Sequence, residues 1–163
     1  MFQIESRPAT TDKTSLYEAL ATDLRALLHG ERDAIANAAN MASLIYHTLP
    51  DVNWAGFYLL KEGELVLGPF HGKPACVRIA IGKGVCGTAA QRRESVLVPD
   101  VEAFPGHIAC DSASRSELVV PIVKNGELFG VLDLDSPSLD RFDEQDRVGC
   151  EALVRIFVDS LVA

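Results

Sequence analysis

The sequence has few basic residues and no long apolar run. Its 163 residues contain 15 Lys and Arg against 23 Asp and Glu, a formal net charge of −8 at pH 7. Because phosphates and anionic lipids repel an acidic surface, this balance argues against nucleic acids and membranes as partners. No apolar run approaches the roughly 20 residues that cross a bilayer, and the N-terminus lacks the pattern of a secretory signal. We therefore expect a cytoplasmic protein.

Internal repeats, low-complexity segments and linkers are also absent from the sequence. At roughly 150 residues per domain, a chain of 163 residues with 48% hydrophobic composition predicts one folded domain with a single main core. We expect this domain to span residues 1–163, with a polar leader at 1–13.

Hydrophobic periodicity predicts an α+β domain. Apolar residues recur at helical spacing over 16–28, over 35–49 and from about residue 143 onwards. Ser15 and Glu18 are spaced as a capping box, and Ile35 and Val148 are expected on buried helix faces. Between the helices the pattern predicts about one helical turn at 88–91 and strands at 54–60, 64–68, 77–81, 95–98, 117–124 and 127–135. Strands joined mainly by hairpins indicate an antiparallel sheet with helices packed on it.

The run GKGVCG at residues 82–87 matches the dinucleotide-binding pattern G-x-G-x-x-G. A true fingerprint opens a crossover helix of ten or more residues, whereas here the next strand begins at Ser95. The run is better interpreted as a tight turn whose backbone packs close to a neighbour or a ligand. Dinucleotide binding is therefore disfavoured.

The four cysteines need an explanation other than a structural disulfide framework, because cytoplasmic thiols stay mostly reduced. Zinc sites favour close C-x-x-C pairs, whereas here His107 and Cys110 form the one close His/Cys pair, so the spacing disfavours zinc. Cys76, Cys86 and Cys110 fall outside the predicted helix cores, so thiol chemistry and simple packing both remain open for them. Cys150 lies on the inner face of the last helix, where a small hydrophobe is expected.

Three carboxylates fall in the predicted hairpin 117–135. Strand alternation places Asp133 and Asp135 on one face. A strict two-residue turn at Asn125-Gly126 would set Glu117 on the opposite face, and a one-residue bulge near Gly130 would bring it to theirs. The alternative is a solvated sheet edge.

Clustered carboxylates and a thiol would together suit the reduction of a sulfoxide. Like charges repel, so at least one carboxyl group would stay protonated near neutral pH and could act as a general acid. A thiol attacks the sulfoxide sulfur, and the oxygen leaves only when it is protonated or strongly hydrogen-bonded.

Six short runs, in this order and spacing, resemble the free methionine-(R)-sulfoxide reductases, a catalytic branch of the GAF domains. They are NWAGFY at 53–58, GPF at 68–70, PAC at 74–76, GKGVCG at 82–87, HIACD at 107–111 and VLDLDS at 131–136. The resemblance implies a GAF fold, in which N-terminal and C-terminal helices flank a six-stranded antiparallel sheet, and a homodimer. It also implies reduction of the free R epimer of methionine sulfoxide, an activity tied to oxidative stress.

The resemblance assigns redox roles to three cysteines. Cys110 matches the catalytic cysteine, Cys76 the resolving cysteine, and Cys86 a third cysteine that can take part in disulfide exchange. We expect Cys110 to attack the sulfoxide and become a sulfenic acid, which Cys76 converts to a disulfide. An external dithiol such as thioredoxin would then reduce that disulfide, with no metal and no organic cofactor.

The resemblance also assigns the substrate site. Trp54 and Tyr58 match aromatic residues around the substrate, with Trp54 expected against the S-methyl group. Glu117, Asp133 and Asp135 match a carboxylate cluster that binds the substrate and activates the sulfoxide. We expect Asp135, sharing a proton with Glu117, to hydrogen-bond the leaving oxygen, and Asp133 to meet the α-ammonium group.

Four further residues have no settled role. His107 and Arg115 are the nearby candidates for stabilising a Cys110 thiolate. His71 stands where an amide side chain is expected after GPF, and Cys150 lies outside the three-cysteine pattern.

The main alternative is a non-catalytic GAF module that binds a small ligand or senses oxidants. Such sensors are usually attached to an output domain, for which a chain of this length leaves no room, although a sensor could act on a partner in trans.

Overall fold

The computed structural model describes residues 1–5 and 12–162, so residues 6–11 of the predicted leader at 1–13 lie outside it. Within the described part, no helix is both long enough and apolar enough to span a membrane. The helices are α1 (Lys13–Leu27), α2 (Ala34–Thr48), α3 (Gly84–Arg92) and α4 (Glu144–Ser160), with a short 3-10 helix at Val101–Ala103. The strands are β1 (Trp54–Lys61), β2 (Glu64–Gly72), β3 (Arg78–Ala80), β4 (Val96–Val98), β5 (Ser116–Lys124) and β6 (Glu127–Ser136).

The six strands form one sheet in the order β3-β2-β1-β6-β5-β4. Every neighbouring pair is antiparallel. This sheet confirms the α+β class and the six-stranded antiparallel architecture.

Alternating side chains place a separate hydrophobic cluster on each face of the sheet. On one face, Phe57 and Leu132 pack with α1, α2 and α4, and the Phe57 ring contacts the Phe157 ring of α4. On the other face, Tyr58 and Val131 pack with the residues of α3. The second face is the one that carries the candidate site.

The first helix begins before the predicted capping box. Asp12 is the N-cap of α1, and its side chain accepts hydrogen bonds from the Ser15 backbone N–H and the Ser15 hydroxyl, both at 2.9 Å. The prediction of Ser15 as the N-cap is therefore wrong. Ser15 lies within the first turn of the helix, and Asp12 accepts the hydrogen bond from its backbone N–H.

The helix α3 is longer than the single predicted turn, since it begins inside the glycine run. A Cβ atom at Gly87 would lie 2.4 Å from the Ala80 carbonyl oxygen. The helix therefore packs directly against the end of β3, and small residues give it no apolar period for sequence analysis to detect.

The structure also differs from the sequence-based prediction at two expected core residues and at one strand boundary. Ile35 of α2 and Val148 of α4 are each 53% exposed, because they lie at the edges of the buried stripes of their helices. Strand β2 continues past the predicted end at residue 68 to Gly72, which pairs with Trp54.

The β5–β6 hairpin contains the bulge that would align the acids. Ile122 pairs with Gly130 but Val123 pairs with Leu128, so Phe129 is the extra residue. As a result Glu117 lies directly opposite Asp135. The bulge is confirmed one residue from the predicted position.

Gly130 fixes this register against the neighbouring strand, because a Cβ there would lie 2.2 Å from the Tyr58 carbonyl oxygen. We expect Gly130→Ala to lower the unfolding free energy by about 2 kcal/mol, since the backbone of β1 must shift. Urea unfolding measures this loss.

Gly126→Ala is the control, because Gly126 has open space around its Cα and only a positive φ of 78°. Its cost should be about 1 kcal/mol. Equal losses for the two variants would contradict the close contact at Gly130.

Candidate active site

A small pocket lies between the α3 face of the sheet and the loop that carries Cys110. Its cavity volume is about 30 Å³, the space of one water molecule. Seven of the eight predicted site residues line it: Trp54, Tyr58, Cys86, Cys110, Glu117, Asp133 and Asp135. The eighth, Cys76, is bonded to Cys110 at the pocket wall.

A disulfide joins Cys76 and Cys110, with their Cα atoms 5.4 Å apart. The bond connects the segment before β3 to the loop before β5, which are 34 residues apart in the chain. Cys86 and Cys150 are free thiols and both are buried. Cys150 is fully buried in the other cluster, on the far side of the sheet, with its sulfur 3.8 Å from the Tyr17 hydroxyl.

The aromatic wall is held by hydrogen bonds to the loop after β2. The indole N–H of Trp54 donates to the Lys73 carbonyl oxygen at 3.0 Å, and the Trp54 ring stacks on Phe70 with centroids 5.3 Å apart. The Tyr58 hydroxyl donates to the Cys76 carbonyl oxygen at 2.9 Å. Tyr58 therefore positions one of the two disulfide cysteines as well as lining the pocket.

The three carboxylates meet on this face of the sheet. Glu117 and Asp133 are only 6% and 5% exposed. Burial, and then the charge of Asp135, raises the pKa of Glu117 to about 8. Burial, and then the neighbouring carboxylates, also raises the pKa of Asp133 and of Asp135 well above the ordinary range. A proton is therefore held in this cluster near neutral pH.

Cys86 and His107 contact the same glutamate from different elements. The Cys86 thiol donates to Glu117 Oε1 at 4.0 Å, and burial, followed by the charge of Asp133, raises the pKa of this thiol. His107 Nε2 lies 3.5 Å from Glu117 Oε2, and burial lowers the pKa of the imidazole. Cys86 is therefore a protonated thiol and His107 a neutral imidazole at neutral pH.

The other two residues of unsettled role lie outside the pocket lining. Arg115 is exposed. His71 packs against Tyr46 and His47, with ring centroids 4.5 and 4.7 Å away, and lines a neighbouring surface groove.

Two apolar residues that shape the pocket were not among the predicted site residues. Ile108 lies in the Cys110 loop and covers Gly84, whose added Cβ would lie 3.0 Å from the Ile108 Cδ1 atom. Phe70 supports Trp54 from β2. An isolated large apolar residue between His107 and Cys110 was the available signal for Ile108.

The pocket offers one set of candidate metal ligands within the described residues. One ligand atom each from Cys86, Glu117 and Asp133 lies within 4.8 Å of the other two. The lining contains neither Lys nor Arg.

The sequence profile of the GAF domain matches residues 12–161. The chain belongs to the GAF domain family. Among its relatives, the free methionine-R-sulfoxide reductase of Escherichia coli is 51% identical over 88% of this chain and 87% of its own. The protein of that name from Saccharomyces cerevisiae is 43% identical over 93% of this chain and 88% of its own.

A solved structure extends the likeness to three dimensions. It is the free methionine-R-sulfoxide reductase of Neisseria meningitidis in complex with its substrate, which is 40% identical to this GAF domain. The superposition has a TM-score of 0.94 and covers 99% of this chain and 96% of the other.

The raised pKa of Glu117 predicts a pH-dependent stability difference. Between the ordinary pKa of 4.5 and the folded value of about 8, the folded protein keeps a proton that the unfolded chain releases. The wild type therefore loses stability as the pH rises through this window. Glu117→Gln removes that loss, so its unfolding free energy relative to wild type should rise by up to about 1.4 kcal/mol per pH unit.

The measurement is urea unfolding of both proteins at several pH values across the window. Glu127→Gln is the matched control, because Glu127 is exposed on the same hairpin and should show no such trend. A Glu117→Gln difference that stays constant with pH would contradict the buried, protonated state.

Proposed function

We propose that this GAF domain reduces free methionine-(R)-sulfoxide to methionine with its own cysteine thiols. The observation that carries the proposal is the Cys76–Cys110 disulfide at a pocket that also holds three carboxylates of raised pKa. A redox pair of thiols and a proton source are the two components that sulfoxide reduction needs. The names of the E. coli and yeast relatives support the same activity.

The first step is attack on the substrate by the reduced protein. The Cys110 thiolate attacks the sulfoxide sulfur while Asp135, sharing a proton with Glu117, hydrogen-bonds the oxygen. Glu117 and Asp135 are directly paired across β5 and β6, which suits proton sharing. The oxygen passes to the Cys110 sulfur, so methionine leaves and Cys110 becomes a sulfenic acid.

The second step closes the disulfide. The Cys76 thiol attacks the Cys110 sulfenic sulfur, forming the S–S bond and releasing water. The described structure corresponds to this oxidised state, and its cavity of about 30 Å³ is too small for an amino acid. An external dithiol such as thioredoxin then reduces the disulfide and is itself oxidised, which opens the pocket for the next substrate.

Specificity for the free amino acid would come from Asp133. Its Oδ1 atom is buried without a hydrogen-bond partner, so the α-ammonium group of the substrate would complete its interactions. Peptide-bound methionine lacks that ammonium group. Trp54 is held rigidly by Phe70 and the Lys73 carbonyl, as a wall for the S-methyl group should be.

Several finer assignments remain predictions of the same proposal. Cys86 stays a candidate for exchange with the Cys76–Cys110 disulfide. We also propose that the enzyme is a cytoplasmic homodimer, that it acts in oxidative stress, and that it needs no metal or organic cofactor.

The decisive experiment is a dithiothreitol-driven assay with the separated epimers of free methionine sulfoxide. We expect methionine from the R epimer and little from the S epimer, because the pocket presents one fixed arrangement of thiol and acids. N-acetylated substrate is the control for the role of the ammonium group and should react poorly. A folded sample that makes no methionine from the R epimer would leave the non-catalytic GAF module as the better interpretation.

Cysteine variants separate the two steps. Cys110→Ser should make no methionine in a single turnover, whereas Cys76→Ser should make about one equivalent and then stall with thioredoxin, because it cannot form the disulfide. Cys150→Ser should retain turnover, since Cys150 lies on the far side of the sheet. Turnover by Cys110→Ser together with its loss in Cys86→Ser would reassign the nucleophile.

A further inference from the structure

The pocket has the charge of a cation site. Four carboxylates line it, from Asp111, Glu117, Asp133 and Asp135, and the lining contains no Lys or Arg to neutralise them. The imidazole of His107 carries the only titratable nitrogen atoms among the side chains of the lining. Acidic clusters are common on protein surfaces, but Glu117 and Asp133 are more than nine-tenths buried. Burial without a paired cation is costly for carboxylates, so a bound cation would stabilise this arrangement.

The buried carboxylates are joined by a thiol. Cys86 is 4% exposed, and its sulfur lies 4.0 Å from Glu117 Oε1. One ligand atom from each of Cys86, Glu117 and Asp133 falls within 4.8 Å of the other two. A second observation points to a ligand at the same place, because Asp133 Oδ1 is buried with no hydrogen-bond partner. His107 Nε2 approaches the other oxygen of Glu117 at 3.5 Å.

These donor atoms are the set that zinc prefers. Zn²⁺ takes four ligands from sulfur, nitrogen and carboxylate oxygen, at about 2.0–2.3 Å. Ca²⁺ requires six to eight oxygens and Mg²⁺ an octahedral shell that usually retains water, and a thiol suits neither ion. A cavity of about 30 Å³ admits a single ion.

We propose that Zn²⁺ binds to Cys86, Glu117 and Asp133, with the His107 imidazole beside this ligand set, and thereby competes with the free amino acid for the pocket. Binding replaces the thiol proton and the proton that the carboxyl cluster holds near neutral pH, both of which pass to solvent, and no electron is transferred. The ion would occupy the carboxylates that contact the α-ammonium group and the sulfoxide oxygen. The inhibitory part of this inference rests on the proposed function, whereas the site itself rests on the geometry.

Cys86 would then have a use distinct from disulfide exchange. A zinc-bound thiolate is held by the ion and cannot attack the Cys76–Cys110 bond. Zinc would therefore hold the protein in a resting state in which neither the acids nor the third thiol can react.

The binding test uses the oxidised protein, freed of thiol reductant, with Co²⁺ as a spectroscopic probe for Zn²⁺. The disulfide removes Cys76 and Cys110 as ligands, so Cys86 and Cys150 are the remaining thiols. We expect a near-ultraviolet sulfur-to-cobalt charge-transfer band in the wild type and in Cys150→Ser, and its loss in Cys86→Ser. Added Zn²⁺ should abolish the band by displacing Co²⁺.

A second variant tests the site independently, in case Cys86→Ser misfolds. Asp133→Asn keeps the shape of the side chain, and it should weaken Co²⁺ binding by roughly tenfold or more, as removal of a metal partner does. Circular dichroism checks the fold of both variants. No band in the wild type, a band that persists in folded Cys86→Ser, or unchanged affinity in Asp133→Asn would overturn the site.

Competition with substrate tests the inhibitory part. In Cys76→Ser/Cys110→Ser protein the pocket cannot close through the disulfide, and free methionine-(R)-sulfoxide should raise the apparent Kd for Co²⁺ in proportion to its concentration. An apparent Kd that does not change would overturn the competition. The cobalt band does not depend on turnover, so failure of the reductase assay would count against the proposed function and not against the ion site.

Discussion

The register between β5 and β6 is the constraint on which the site depends. One extra residue at Phe129 shifts the pairing so that Glu117 lies opposite Asp135 instead of facing the other side of the sheet. Gly130 lets β1 approach closely at the next position, which brings Asp133 and Asp135 beside Gly56 and Trp54. Without this bulge the glutamate would lie in the helical core cluster and the pocket would lose one of its acids.

This strand register buries three carboxyl groups close together and so raises their pKa values, which would suit a reductase. Carboxyl groups buried together without a cation hold protons at a pH where exposed carboxyl groups are ionised. A protonated acid beside a redox-active thiol is the requirement of sulfoxide activation. The same shortage of positive charge would draw the ammonium group of a free amino acid or, in its place, a metal ion. Substrate selection, acid catalysis and inhibition by zinc would then share one physical origin.

The structure differs from the sequence-based expectations where tertiary contacts replace periodicity. The strands, three of the helices and the antiparallel order follow from alternation, helical spacing and the Asn-Gly turn, and the structure confirms them. The sequence predicts only one turn for helix α3, because Gly87 and its small neighbours pack by close backbone approach and form no apolar stripe. Val148 was placed in the core because spacing shows which residues are apolar but does not set the exact edge of the buried stripe.

The sequence by itself determined the fold class, the family resemblance and the residue types available for chemistry, because these depend on local patterns and on motif order. Tertiary structure decided the rest. It brought Cys76 and Cys110, which only the resemblance had paired, together across 34 residues, set Cys150 on the opposite face from Cys86, and placed His107 rather than Arg115 in the pocket. Those outcomes depend on strand register and on a loop that folds back over the sheet, and contacts between residues far apart in the chain leave no periodic signal.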